Sequence, residues 1–294
     1  MTELQYVRAS RISEALTLLQ EEGVKNRVLA GNTDLALLLR ADPALCTRVV
    51  DVSQIPELHR ITRTDDRVTI GAAATFNEVL SNPIVIETAP LLAEACAQVG
   101  AVQIRNMGTL GGNVANAAAC ADSLPALVCL DARASVRSLQ AEQVWPVAEL
   151  VVKPNQTLIP PGSLLVSLSY TVPEPGCRSV FLKLGRRNAM AISRLTVAVL
   201  GRLDSTGRIA EVRIVPGAAT PQILRIRPAE ELMLGRIPGR DLYAAAARSV
   251  VDEMIQLTGR RWSTEFKEPA LLAMTQRALL QVFEPAPSRS GAGQ

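Results

Sequence analysis

The sequence predicts an α+β protein: a small parallel α/β unit, a mixed α+β unit, and a C-terminal antiparallel sheet with helices. Three observations lead there. Helical and strand-like apolar patterns alternate through residues 10–52, the order of a small parallel sheet. Residues 102–122 set Gly108, Gly111 and Gly112 among small and polar residues, between two apolar, helix-like segments. Beyond Pro173-Glu174-Pro175-Gly176, apolar runs broken by a turn at 204–207 give way to helical periodicity.

The elements follow in order. Residues 10–22 read as an amphipathic helix, with Ser10 as cap, Ile12, Ala15, Leu16 and Leu19 on one face, and Gly23 at its end. Residues 26–30 read as a short buried strand. Residues 33–40 form a helix with Leu35, Leu38 and Leu39 inward and Asp34 in its first turn, where a carboxylate is favourable. Residues 48–52 form the next strand. Residues 58–63 and 67–72 pair as a hairpin turning at Asp65-Asp66, with His59 at the start of its first strand. Thr75 and Glu78 have capping-box spacing for a short helix, and residues 88–99 form an Ala-rich one. Asp122 opens a helix through Leu130, and strands follow near 133–138 and 164–171, the last preceded by a turn at Pro160-Pro161-Gly162. Strands at 178–183, 193–203 and 210–216 then read as antiparallel, with helices near 228–234, 240–256 and 267–283. The organisation is therefore 1–55, 56–175, 176–284 and a polar, Pro/Gly-rich tail, 285–294, expected to be disordered.

Composition narrows the function. At 294 residues the chain buries a substantial core. A net charge of +3 and 3% aromatic residues argue against nucleic acid. No apolar run reaches the roughly 18–20 residues of a membrane span, and residues 1–22 lack the apolar core of a signal peptide, so a cytoplasmic protein is expected. Cys46, Cys96, Cys120, Cys129 and Cys177 are scattered, without the C-x-x-C spacing of zinc or cluster sites, and read as core thiols. One histidine makes metal or triad catalysis improbable.

Two glycine-cornered loops carry the chemistry. Around Gly31, the run Val28-Leu29-Ala30-Gly31-Asn32-Thr33-Asp34 passes from an apolar strand to a helix start. In the second loop, Gly111-Gly112 would let the backbone approach a ligand closely, with Thr109 and Asn113 offering side-chain hydrogen bonds. Successive N–H groups in such turns make anion-binding concavities, so the pair would clamp the two phosphates of a pyrophosphate. Neither loop spells G-x-G-x-x-G or G-x-x-x-x-G-K-[ST]. Lys183, with Arg186 and Arg187 near a strand end, reads either as solvated or as pointing to an electron-rich part of a cofactor.

These pieces resemble the flavin-binding subunit of the molybdenum hydroxylases, the xanthine dehydrogenase and carbon monoxide dehydrogenase family. The resemblance runs through Ala30-Gly31-Asn32-Thr33-Asp34, then Ile104-Arg105-Asn106 with Thr109-Leu110-Gly111-Gly112-Asn113, then Asp122, and Phe181-x-Lys183 with Arg186-Arg187 and Ala191-Ile192. It implies an FAD-binding fold of the vanillyl-alcohol oxidase/PCMH type. It also implies that Val28, Leu29, Ala30, Gly31, Asn32, Thr33, Asp34 and Leu35, together with Gly108, Thr109, Leu110, Gly111, Gly112, Asn113 and Asn116, wrap the FAD pyrophosphate, and that Arg27 and Ile104 also bind the cofactor. Asp122 would bind the adenosine ribose, Asp34 would reach the ribityl side, and Leu164 or Leu165 would lie against the adenine or ribityl portion. Lys183 would approach the far end of the cofactor, with Arg186 covering the same pocket.

The resemblance further implies partners: a subunit with [2Fe–2S] clusters that delivers electrons, and a large molybdenum–pterin subunit that oxidises substrate. Electrons would leave to NAD+, oxygen or another acceptor. The spelling Gly31-Asn32-Thr33 and the Arg186-Arg187 pair look closer to xanthine dehydrogenases, which leans toward a purine or related N-heterocycle. The alternatives are a standalone FAD-dependent reductase of the same fold, similar to the enolpyruvyl-sugar reductases, and a non-catalytic assembly protein.

Overall fold

The protein is described by a computed structural model covering residues 4–187 and 189–284; the expected tail at 285–294 lies outside the described residues. The N-terminal unit contains β1 (Gln5–Arg8), α1 (Ile12–Leu19), β2 (Asn26–Leu29), α2 (Leu35–Ala41) and β3 (Arg48–Asp51). Its strands form a parallel sheet in the order β1-β3-β2, with the fully buried β3 at the centre. β1 is an addition to the sequence reading, since four residues are too few to show a period. Its anchor is polar: the Tyr6 hydroxyl donates to Asp51, and Arg8 Nε donates to the same carboxylate at 3.0 Å. Arg11, not Ser10, is the N-cap of α1, and Ser10 instead donates through N and Oγ, each at 2.8 Å, to Glu14. α2 also departs from expectation. It buries none of its residues fully, and Leu38 is exposed rather than inward.

The next unit holds β4 (Ile61–Thr64), β5 (Arg67–Gly71), α3 (Phe76–Ser81), α4 (Pro83–Thr88), α5 (Pro90–Ala97), α6 (Val102–Arg105), α7 (Leu110–Asn116) and α8 (Ser123–Cys129). It continues with β6 (Arg133–Arg137), β7 (Glu142–Pro146), α9 (Val147–Leu150), β8 (Val151–Lys153), β9 (Gln156–Thr157) and β10 (Leu164–Thr171). The main sheet runs β4-β5-β10-β6-β7, every pair antiparallel, with β10 in the middle. Thr75 and Glu78 form the expected capping box. The expected Ala-rich helix is α5, begun at Pro90, and α4, capped by Asn82 with Pro83 at its first position, is an addition before it. His59 ends a one-turn 3₁₀ helix, Pro56–His59, rather than opening a strand, and its Nε2 lies 2.8 Å from the Ser53 carbonyl. The Gly111-Gly112 segment is helical, since the Thr109 side chain caps α7 by accepting from Gly112 N at 3.0 Å.

The C-terminal sheet comprises β11 (Arg178–Leu184), β12 (Leu195–Leu203) and β13 (Ile209–Gly217), antiparallel throughout, followed by α10 (Arg227–Met233), α11 (Arg240–Thr258) and α12 (Thr264–Phe283). β12 is an almost unbroken apolar run, as expected of a strand covered on both faces. Val197 and Val199 enter a core shared with α11 and α12, while Ala198 and Leu200 enter the core of the preceding unit. There α5 packs on β11, and α8 packs on β12 and β13. A charged network adds to this junction: Asp131 Oδ2 accepts from Arg225 Nη1 at 2.6 Å and pairs with Arg213 Nη1 at 3.0 Å. Among the described residues no helix is long and apolar enough to cross a membrane.

Candidate functional site

The first loop leaves β2 at Leu29, whose carbonyl accepts from Val52 N at 2.8 Å. Asn32 then adopts φ +58, a left-handed turn that asparagine tolerates better than most residues. Among the described residues, the backbone N–H groups of Gly31, Asn32, Thr33, Asp34 and Leu35 have no hydrogen-bond partner. A left-handed residue inside a row of free N–H groups is the geometry of a backbone nest, which suits an anion. Arg27 and Val28 belong to β2 itself, paired beside Val49 and Val50, and Ala30 packs against the N-terminal core.

The second loop is stitched to the segment after β5. Phe76 N donates to Gly108 O, Leu110 N to Ala74 O and Gly111 N to Ala72 O, each at 2.9 Å. This corrects the reading of Gly111. A Cβ there would stand 2.8 Å from Ala72 Cα, so the missing side chain serves packing of backbone on backbone, not approach of a ligand. Gly112 is exposed, and a Cβ on it would meet only Thr109, Oγ1 at 2.7 Å. The N–H groups of residues 110–113 are all bonded within the protein, so among the described residues the continuous row of free donors belongs to the first loop.

The two loops touch. A Cβ on Gly31 would overlap the Met107 carbonyl oxygen and stand 2.8 Å from Gly108 Cα. Asn116 Nδ2 donates to Asp34 Oδ1 at 3.3 Å, and Thr33 Oγ1 to Asp34 Oδ2 at 3.2 Å. Asn113 is fixed by Ser123, whose Oγ donates to its Oδ1 at 2.7 Å. Ile104 and Met107 are both exposed at the α6–α7 junction.

Asp122, the N-cap of α8, is buried with Lys183 of β11. Lys183 Nζ donates to Asp122 Oδ2 at 2.7 Å and to Gln98 O at 2.8 Å, while the Ser193 hydroxyl donates to Asp122 Oδ1. Burial pushes the Asp122 carboxyl up, against the bonds from Lys183 and Ser193 that favour its charged form. Burial also pushes up the Cys120 thiol, with Asp122 adding to it, and the field of Asp34 reaches the same sulfur. Loop 98–100 is held from both sides, since Arg105 Nη1 donates to Val99 O at 3.0 Å and to Gly100 O at 3.2 Å.

Of the remaining expected residues, Leu164 and Leu165 point into different cores on opposite faces of β10: Leu165 shares one with Leu110 and Val114 of α7, which packs on β10, and Leu164 shares the other with Ala30. Arg186 is exposed and makes no hydrogen bond or ion pair among the described residues, whereas Arg187 donates to Met190 O. Sequence reasoning missed Met107, Gln98 and Ser193. The first two act through backbone carbonyls, which leave no trace in side-chain identity; Ser193 follows the Ala191-Ile192 pair but has no motif of its own. Among the described residues no group of His, Cys, Asp and Glu could hold a metal ion.

Residues 2–175 match the family described as the FAD binding domain in molybdopterin dehydrogenase, and residues 180–282 match the CO dehydrogenase flavoprotein C-terminal domain. The chain is 29% identical to the 6-hydroxypseudooxynicotine dehydrogenase complex subunit alpha of Paenarthrobacter nicotinovorans, over 96% of this chain and 95% of that one. It is 28% identical to the putative xanthine dehydrogenase FAD-binding subunit XdhB of Escherichia coli K12, over 96% of each. Among solved structures it is similar to the carbon monoxide dehydrogenase of Hydrogenophaga pseudoflava lacking the Mo-pyranopterin moiety. There the TM-score is 0.90 at 25% identity, covering 97% of this chain and 99% of that one.

Proposed function

This chain belongs to the FAD-binding family of the molybdopterin dehydrogenases, and from that premise we propose that it relays electrons from the [2Fe–2S] clusters of a partner subunit to an external acceptor. It is an FAD-binding subunit of a molybdenum hydroxylase-type dehydrogenase. The observation that carries the finer reading is the row of unpaired N–H groups from Gly31 to Leu35, curved around left-handed Asn32 and backed by Met107 and Gly108. Such a concavity fits a pyrophosphate, the most anionic part of FAD. When bound, FAD supplies the redox chemistry, and the protein supplies position and electrostatics.

The chain's own residues would then divide the work. The first loop binds phosphate through its backbone, and Asn116 and Thr33 orient the Asp34 carboxylate. Asp122 is engaged at both oxygens, yet a carboxylate accepts at about four lone-pair sites, so it retains capacity for a ribose hydroxyl. Lys183 keeps positive charge in the site while tying loop 98–100 to the C-terminal sheet. The molybdenum–pterin chemistry falls to a large partner subunit, and electrons pass on to NAD+ or another acceptor. A purine or related N-heterocycle is the substrate class favoured by Gly31-Asn32-Thr33 and Arg186-Arg187.

The test is affinity purification of the tagged chain from its own host, with flavin, iron and molybdenum counted and purines assayed with NAD+. FAD together with iron, molybdenum and two further polypeptides is expected. A metal-free flavoprotein that alone oxidises NADPH with a nucleotide-sugar acceptor would overturn the reading.

A further inference from the structure

The turn between α11 and α12 gathers exposed aromatic and basic side chains. Gly259, at φ +66, ends α11, and Arg260, Arg261 and Trp262 follow before α12 begins at Thr264. Trp262 is 86% exposed, and Phe266, one turn along α12, is 44% exposed. The chain has two Trp and four Phe in all, so placing one of each on a single turn is a concentrated commitment of its aromatic surface. The Arg194 guanidinium lies 4.8 Å from the Phe266 ring centroid, within cation–π range.

The charges are arranged at a cost. Burial pushes the Lys267 ammonium down, and Arg194 and Arg261 add to the shift, so three cations crowd one surface. The acids on the same helix do not relieve them. Glu268 is taken by Arg248 at 3.3 Å and Arg260 at 3.0 Å, and Glu265 makes no ion pair among the described residues. Among the described residues the side chains of Lys267 and Arg261 donate only to the carbonyls of Ala218 and Thr258. The patch also adjoins the candidate site, since Arg194 follows Ser193, whose hydroxyl binds Asp122. Met190 and Ile192, both exposed, lie four and two residues before Arg194 in the chain.

We infer that the 259–263 turn, with Arg194, Phe266 and Lys267, docks a partner subunit whose face presents carboxylates around an apolar slot for Trp262. The inference rests on the reading that the chain works in a heteromeric complex. Trp and Arg dominate the energetics of protein interfaces, and uncompensated positive charge selects an acidic partner. Engagement of that partner would relieve repulsion among Arg194, Arg261 and Lys267 while removing Trp262 from water.

The experiment co-expresses the full chain with its iron–sulfur and molybdenum subunits and compares wild type with Arg261→Glu and Trp262→Ala, alone and combined. Complex dissociation is followed by size-exclusion chromatography against salt, with flavin content of each variant as the check on folding. Expected is a complex that weakens at least about tenfold in the double variant, with flavin content unchanged and a flatter salt dependence for Arg261→Glu. A stable wild-type complex that the variants leave unaltered would overturn this inference alone. Failure of the wild-type chain to form any complex would overturn the functional reading, and the inference with it. Loss of self-association in the variants with an intact complex would assign the turn to a second copy of this chain and also overturn it.

Discussion

Lys183 Nζ and Asp122 Oδ2, 2.7 Å apart and both nearly excluded from solvent, join the C-terminal sheet to the start of α8. Replacing one partner strands the other where hydration cannot compensate it. Lys183→Met should therefore cost about 3–5 kcal/mol, because Asp122 must stay charged without its cation or take up a proton. The double variant Lys183→Met/Asp122→Asn should cost clearly less than the sum of the single changes. Urea unfolding of the four proteins checks it, and additive costs would mean the pair is not coupled.

The glycines of the two loops should separate by what their missing side chains avoid. Gly31→Ala drives a methyl into Met107 and Gly108, and should lower flavin retention by prying the loops apart. Gly111→Ala collides with Ala72 and should lower thermal stability even in the apoprotein. Gly112→Ala meets no backbone, only the Thr109 side chain that caps α7, and should be the mildest of the three. Flavin absorbance per chain and apoprotein Tm rank them.

Thr75→Ala removes the half of the α3 capping box in which Glu78 N donates to Thr75 Oγ1 at 3.1 Å, and leaves the backbone N–H of position 75, which donates to Glu78 Oε2 at 2.7 Å. A loss of about 1 kcal/mol is expected, measured by denaturant unfolding. Thr75→Ser should restore most of it, since the hydroxyl is what the cap uses.

Asp51 gives the fold an acid sensitivity. Burial alone would raise its carboxyl, but bonds from Tyr6, Ser53 and Arg8 outweigh it and hold the group below the usual carboxylate range. Because the folded value is depressed, this stabilisation is complete above the unfolded value near ~3.9. It fades as pH falls through the folded value. Urea midpoints of wild type should drop more steeply than those of Asp51→Asn from about pH 5 downward; parallel curves would contradict the assignment.

The sequence was most legible where one physical rule acted alone. The Thr75–Glu78 box, the apolar run of β12 and the helix opened by Asp122 each came from local pattern. α7 was hidden because Gly111 and Gly112 are poor helix formers, and tertiary bonds to Ala72 and Ala74 overrule that preference. The inward Leu38 of α2 failed for the opposite reason: periodicity marks an apolar face, but not whether anything covers it. Within the site, Lys183 and Asp122 were each singled out as contacts of a cofactor, while their bond to each other depends on α5 packing over β11 and α8 over β12 and β13, which no spacing in the chain encodes.

Both faces of β12 are buried, one by helices that precede it in the chain and one by helices that follow. Cutting the chain between its two matched families would therefore leave each fragment with a raw apolar surface. Unfolding should propagate across that seam, giving one calorimetric transition rather than two. The seam in sequence is thus not a seam in cooperativity, and whatever a partner does to α11 and α12 is felt, through a single shared strand, by the helices that frame the cofactor loops.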